Sequence, residues 1–502
     1  MKQLNSKLEG EISFSHVSAF LALVLSLLFT ARTKHSKRRA NEPPLSAGLP
    51  YIGHGFQFIN NFSGLMDYLR TKYGPIYTII NFGQRMHFIT DYKSIRKIWT
   101  QPAFDFREFA FKAEANLSGI ETPDELKASG VGSANLAKYA HTMRGDDHLE
   151  SLATRFESAL RDTVERIPIL HNEAWNEVDL REFSGMVIFH AAGRSLFGPH
   201  WLEGVDIEEA ARQYSIFEID GPAIAGGLPK FLTQKGCRAR DYLVKNVLLP
   251  VIKKGCDGGH SYIVDYISEL KEAYRNDENG DFKIAARLTG LVFAINSNTM
   301  NMLFWVIART VLADKSLSVD LVDECKKAAM SNPLSYLEQK RQMPLLNSVI
   351  IETFRLHGDP NSFRVVEEDC VVSGLAGGKD VAFRKGDSVF LLSTYDQLQD
   401  IAGDKDAFDG RRWIQHTSNK DINKALLPIP SNQVLAPFGG GKHLCPGRFF
   451  ALLEMHVVVA FCIQHYEFKI LEKESLPPKH VELSAPINQP NRRMKISVRY
   501  KP

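Results

Sequence analysis

The chain runs to 502 residues with 44% hydrophobic and 24% charged side chains, enough apolar material for one large core and a length that permits two or three domains. A formal net charge of +3 is small for that size and gives no ground for a nucleic-acid partner. Six cysteines (Cys237, Cys256, Cys325, Cys370, Cys445, Cys462) include no Cys-x-x-Cys pair, which argues against a disulfide framework and a tetrahedral zinc site. The first element is residues 14–31, an apolar run of 18 residues without a formal charge. At about 1.5 Å per residue a helix there spans roughly 27 Å, the thickness of a bilayer core. Arg32, Lys34, Lys37, Arg38 and Arg39 follow at once, and by the positive-inside rule they stay in the cytosol. Residues 1–31 are therefore expected to carry a single-pass membrane anchor, since a cleaved signal would place its basic residues before the run.

Residues 32–50, basic and then rich in proline, read as a hinge, and residues 51–502 as one globule. Alternating apolar residues on either side of Gly83 predict a hairpin over residues 76–91. Helical periodicity follows over residues 149–166, 180–196, 237–254, 262–274, 285–313 and 345–357, the last of these opening just after Pro344. Strand-like pieces are expected at residues 364–372 and 388–392. The fold class is thus mainly α with a small β-rich part.

Chemistry concentrates in Pro437-Phe438-Gly439-Gly440-Gly441-Lys442-His443-Leu444-Cys445-Pro446-Gly447-Arg448, which runs straight into an apolar helical stretch over residues 449–462. Glycines let the backbone pass close to a flat ligand at positive φ. Pro446 suits a first helical turn, so Cys445 sits where backbone N–H groups and the helix dipole favour a thiolate. A free cysteine is ordinarily just a small buried hydrophobe, and the other five are read that way. The loop, however, matches Phe-x-x-Gly-x-x-x-Cys-x-Gly, the haem-binding signature of the cytochrome P450 family, at Phe438, Gly441, Cys445 and Gly447. The resemblance implies a P450 fold with Cys445 as the axial ligand of a haem b iron, and His443 among the residues meeting the haem carboxylates.

Further segments fall in the order that family has. Glu352-Thr353-Phe354-Arg355 resembles its Glu-x-x-Arg pair, and the segment ending in Arg411-Arg412-Trp413 resembles its meander, which implies a buried network of Glu352, Arg355 and Arg412. Arg364 is similar to the family's propionate-binding arginine; the plain alternative is a surface charge on an edge strand. The family's Trp-x-x-x-Arg is missing. Tyr139, His141 or Arg144 stands near its place.

Dioxygen-activating members carry an acid and an alcohol in the long helix over the haem's distal face, whereas here the stretch reads Ala294-Ile295-Asn296-Ser297-Asn298-Thr299. One overlay puts Ser297 and Asn298 at the acid and alcohol positions, and a shift of one puts Thr299 at the alcohol; the plain alternative is core hydrogen bonding. The stretch is similar to the branch holding the sterol 7-alpha- and 12-alpha-hydroxylases and prostacyclin synthase, with a fungal-type secondary-metabolism member in view. Residues 217–228, before Pro229, resemble the same branch.

The resemblance implies a monooxygenase in the endoplasmic reticulum membrane, fed by NADPH-cytochrome P450 reductase. Lys442 and Arg448 are candidate reductase contacts. The substrate implied is apolar: a sterol, terpenoid or other secondary metabolite, contacted by residues 104–118, 217–228 and 359–363. A haem-thiolate isomerase or dehydratase, working without reductase or dioxygen, and a haem-binding sensor without turnover are the alternatives.

Overall fold

The computed structural model describes residues 38–50, 52–312, 315–330, 336–359, 361–393, 407–417, 437–471, 475–480 and 487–501. The expected anchor at residues 14–31 and the start of the basic cluster lie outside the described residues. The described residues fall into two compact units: the residues up to Asp105 with Phe363–Leu392, and Phe106–Ser362 with Ser393–Pro502.

The first unit rests on a six-stranded sheet in the order Leu45–Ser46, Ile76–Asn81, Gln84–Ile89, Ser388–Leu391, Ser362–Val366, Phe104–Asp105. The expected hairpin is its centre, with Ile76 opposite Ile89 and Asn81 opposite Gln84. It turns through Phe82 and Gly83, both at positive φ, which suits the twist of the paired strands. The single strand expected over residues 364–372 is instead divided. Ser362–Val366 joins the sheet, whereas Cys370–Leu375 pairs with Lys379–Phe383 in a separate hairpin. Glu367, Glu368 and Asp369 make the break, because acids are poor strand residues and Asp369 is spent on the Lys385 N–H (2.8 Å) and on Arg39 (3.1 Å).

From Arg38 on, the stretch read as a hinge belongs to this unit. Leu45 and Ser46 pair in parallel with Thr78 and Ile79. Glu42 is 2% exposed and lies among Arg85 (3.2 Å), Arg384 (2.5 Å) and the Arg39 N–H (2.9 Å). Burial pushes its carboxyl up, but the arginines and the N–H outweigh it and hold the group at about 2, against an ordinary 4.5. A carboxyl depressed on folding stabilises above its unfolded value and loses that contribution as pH falls toward the folded one. Wild type is therefore expected to lose roughly 3 kcal/mol between about pH 5 and pH 2 through this group alone. Thermal melts across that window should show a shallower acid slope for Glu42→Gln, and parallel slopes would refute the assignment.

The second unit is helical around one apolar core. Six of the expected helices appear as Asp146–Arg166, Leu180–Phe197, Ser261–Ala273, Gly280–Leu312, Pro344–His357 and Arg448–His465. The stretch at 237–254 forms as Gln234–Leu243 and Leu249–Lys254 joined by a π turn, Val244–Leu248, where Pro250 supplies no N–H to the preceding turn. The ends of these helices are satisfied locally or from afar. Asp179 caps Arg181 and Glu182 N–H groups, and Glu324 reaches the Leu345 and Leu346 N–H groups at 2.8 Å each.

Helix Ile207–Ala225, punctuated by Gly221 and Pro222, is among the helices that periodicity missed, as are Arg107–Ser118 and Lys315–Met330. Gly221 is required there: a Cβ would stand 2.4 Å from the Phe293 ring of the long helix. Helices Gly280–Thr310 and Arg448–His465 are long and apolar enough to cross a bilayer, yet most of each is buried inside the unit, as core helices are. A three-stranded antiparallel sheet, Tyr466–Ile470, Lys495–Tyr500, Asn176–Asp179, completes this unit beside a short pairing of Lys479–His480 with Gln489–Pro490.

Candidate active site

The cysteine loop closes on itself before the helix starts. The Cys445 N–H donates to the Phe438 carbonyl (3.0 Å), and a 3-10 turn, Gly441–His443, lies between them. Gly439 and Gly441 take φ of 73° and 68°, which disfavours a side chain, while Gly440 is extended. Helix Arg448–His465 begins later than the proline suggested, with Gly447 at the cap, so Cys445 precedes the helix. The Gly447 and Arg448 N–H groups still point at its sulfur.

Burial pushes the thiol up, and those two N–H groups with the Arg448 guanidinium pull it back. Arg448 is half-buried and donates to the Cys445 carbonyl at 2.8 Å, so it faces the loop, whereas Lys442 is exposed. Phe438 packs 5.6 Å from the Phe354 ring of helix Pro344–His357. A Cβ at Gly439 or Gly447 would meet nothing within 4 Å, so open space adjoins the loop. His443 is half-buried, with its Nε2 3.4 Å from the Phe106 N–H.

The long helix settles which residues look out. Its middle is buried apart from Gly290, Phe293, exposed Ala294, Ile295 and Asn298, and the four-residue spacing of Gly290, Ala294 and Asn298 puts them on one face. Ser297 and Thr299 turn away from that face. Ser297 Oγ donates to Glu218 Oε1 (2.8 Å), and Thr299 Oγ1 donates to Glu454 Oε2 (3.2 Å) on the cysteine helix. Burial pushes the Glu454 carboxyl well above the usual carboxylate range, which favours its protonated form.

Glu352 is fully buried and receives both arms of Arg355 (2.8 and 2.7 Å), Arg412 Nε (3.2 Å), the Asp409 N–H (3.0 Å) and Trp413 Nε1 (2.9 Å). Burial acts to raise its pKa, and the Arg355 bonds lead the effects that win and lower it. Arg364 lies in the first unit, on a strand flanked on both sides, and is 3% exposed, which removes the edge-strand surface reading. Burial lowers it to about 10 against the attraction of Asp105.

Arg144 is exposed, near enough to Arg448 to weaken that group's hold on its proton after burial has done the most. His141 is exposed too, and Tyr139 is buried against the rings of Tyr262 (6.3 Å) and Tyr266 (6.4 Å). Sequence reasoning missed Tyr262, whose hydroxyl is raised by burial and by the nearby Cys445 sulfur, and it missed Trp413, Glu218 and Glu454.

A thiol receiving backbone N–H groups beside open space, with a small-residue helical face in the same unit, fits a large flat prosthetic group bound through sulfur. Comparison with known proteins agrees. The cytochrome P450 family model matches residues 43–130 and 250–496. Similar curated relatives include cytochrome P450 7A1 of Sus scrofa, 26% identical over 469 residues, covering 88% of this chain and 90% of that one. The 7-alpha-hydroxycholest-4-en-3-one 12-alpha-hydroxylase of Oryctolagus cuniculus is 26% identical over 472 residues, at 88% and 90% coverage. Cholesterol 7-alpha-monooxygenase of Cricetulus griseus is 25% identical over 487 residues, at 91% and 93%. Among solved structures, retinoic acid bound cyanobacterial CYP120A1 superposes with a TM-score of 0.66 at 20% identity, over 92% of this chain and all of the other, a likeness of fold. With the signature loop, the buried Glu352 cluster and a family match across most of its length, the chain belongs to the cytochrome P450 family.

Proposed function

We propose that this cytochrome P450 monooxygenase oxidises an apolar polycyclic substrate of sterol or terpenoid type with dioxygen, drawing electrons from NADPH through a partner reductase. The observation that carries the reading is the Cys445 loop, closed by the Cys445 N–H on the Phe438 carbonyl with open space beside Gly439 and Gly447. The substrate class is drawn from relatives named for cholesterol 7-alpha and cholestenone 12-alpha oxidation, and the small residues Gly290 and Ala294 on the face of Asn298 leave room for a bulky apolar molecule. The endoplasmic reticulum membrane, entered through residues 14–31, is the proposed location.

Haem b bound through sulfur supplies cleavage of the dioxygen O–O bond, favoured by electron donation from a thiolate. Cys445 would hold the iron, with the Gly447 and Arg448 N–H groups damping the charge on sulfur and Phe438 shielding it from water. His443, in the same unit as Cys445, is the proposed partner of a haem carboxylate. Asn298 is the polar group of the open face; its amide can orient a water or a substrate oxygen but cannot store a proton. Glu454 can store one, and its contact with Thr299 Oγ1 brings the acid to the long helix.

Purified enzyme given substrate, reductase and NADPH under labelled dioxygen is expected to place label in the product. Turnover of a peroxide or epoxide without NADPH would instead establish an isomerase or dehydratase. Haem binding with no turnover in either assay would leave a sensor.

A further inference from the structure

The long helix carries no Asp or Glu after Asp281, yet a carboxyl reaches it from the side. Glu218, on helix Ile207–Ala225, has no exposed surface. Its Oε1 accepts from Ser297 Oγ (2.8 Å), Asn301 Nδ2 (3.1 Å) and Gln489 Nε2 (3.1 Å), and its Oε2 pairs with Arg181 of helix Leu180–Phe197. Four elements thus meet at one acid.

Ser297 and Asn301 stand one turn apart, and Asn298 lies within that turn with its side chain on the open face. Ser and Asn side chains inside a helix compete with its backbone, and Asn301 Nδ2 does bond the Ser297 carbonyl (2.9 Å). An outside acceptor shared by both fixes the turn's rotation about the helix axis, and hence where the Asn298 amide points. Nearby, Asn301 Oδ1 and both polar side-chain atoms of Asn488 are buried with no partner. The pocket is polar beyond what four bonds to one carboxyl require, and a buried carboxyl joined to an arginine contributes a directed field as well as a mechanical tie.

We propose that Glu218 is the positioning residue of the open face: tying Ser297 and Asn301 to a second helix, it orients Asn298 and restores from a neighbouring helix the acid that the long helix lacks. It touches neither substrate nor cofactor. The inference deepens the monooxygenase reading and rests on it.

The test uses full-length, haem-loaded enzyme and two readouts. One is coupling, the product formed per NADPH consumed, with the remainder measured as hydrogen peroxide. The other is the carbon–oxygen stretching frequency of the reduced carbon monoxide complex, which senses hydrogen bonding on the open face without turnover. Glu218→Gln keeps an acceptor for Ser297 but removes the charge. Its coupling is expected to fall ~tenfold with a shifted stretch, while the thiolate-type spectrum persists. The double variant Glu218→Ser with Ser297→Asp returns an acid to the long helix and is expected to recover about half of the lost coupling.

Should Glu218→Gln fail to fold, Ser297→Ala removes one tie without exposing a charge, and ~threefold lower coupling with a shifted stretch is expected. Unchanged coupling and stretch in whichever of the two variants folds would reduce Glu218 to a structural strut and overturn the proposal. If wild type incorporates no labelled oxygen, the monooxygenase reading fails while the stretch still decides the role of Glu218.

Discussion

Glu352→Ala is expected to destabilise the helical unit by about 3–5 kcal/mol, because removing one partner of a buried ion pair leaves the other uncompensated. Arg355 is 2% exposed and is bound to this carboxyl by both arms, and it also donates to the Ala407 carbonyl (3.0 Å). The same truncation takes the acceptor from Trp413 Nε1 and from the Asp409 N–H, so the segment carrying Ala407 to Trp413 loses its fixing point. Urea unfolding followed by circular dichroism measures the loss. Glu352→Gln keeps the shape and an acceptor, and is expected to fall between alanine and wild type. The pH sign is fixed by the lowered pKa: the contribution is present at neutral pH and disappears as acid protonates the folded carboxyl. An alanine variant within about 1 kcal/mol of wild type would mean that the cluster is solvated and structurally idle.

The second large effect is at Cys445. Serine there keeps size and a weak donor but is not an anion at any physiological pH, so the Gly447 and Arg448 N–H groups would face a neutral hydroxyl. Cys445→Ser is expected to lose the thiolate-type Soret band in the reduced carbon monoxide difference spectrum completely, and oxidation of substrate with it. The fold should survive, because the loop is closed by main-chain bonds and by Phe438 rather than by the sulfur. A retained thiolate-type band would assign the ligand to another of the six cysteines. Cys325 and Cys462 are buried, and burial pushes the Cys325 thiol up to about 12, which makes it a poor anion.

What could be read in the sequence is what short spacing encodes. Glu352 and Arg355 are one helical turn apart, and the cysteine loop is contiguous, so their chemistry is visible in a window of a dozen residues. Arg412 was reachable through the resemblance, and Trp413, adjacent to it, was not recognised as a fourth partner. Glu218 and Glu454 were invisible for a different reason. They meet Ser297 and Thr299 across 79 and 155 positions of chain, and no local pattern reports which two helices touch. The register of the long helix was equally undecidable, because Asn296 to Thr299 are all polar and any of them could have faced out. Packing chose Asn298 by spending the other three inside: Asn296 bonds the Val292 carbonyl (2.8 Å), and Ser297 and Thr299 bond acids on other helices. Helix Ile207–Ala225 escaped because Gly221 and Pro222 read as a break, though the glycine serves a close approach and the proline is carried near the helix end.

Under the proposed anchoring through residues 14–31, Glu42 has a mechanical consequence. The first positions fastened to the sheet unit, Arg38 and Arg39, are the last of the basic cluster itself. The reach from Ala31 to Arg38 is bounded by the contour of seven peptide steps, about 25 Å. The sheet unit would ride at headgroup height on a short mooring, drawing greasy molecules from the lipid rather than fishing for them in water, and lengthening that mooring before residue 38 would loosen it where lengthening after residue 42 would distort the sheet.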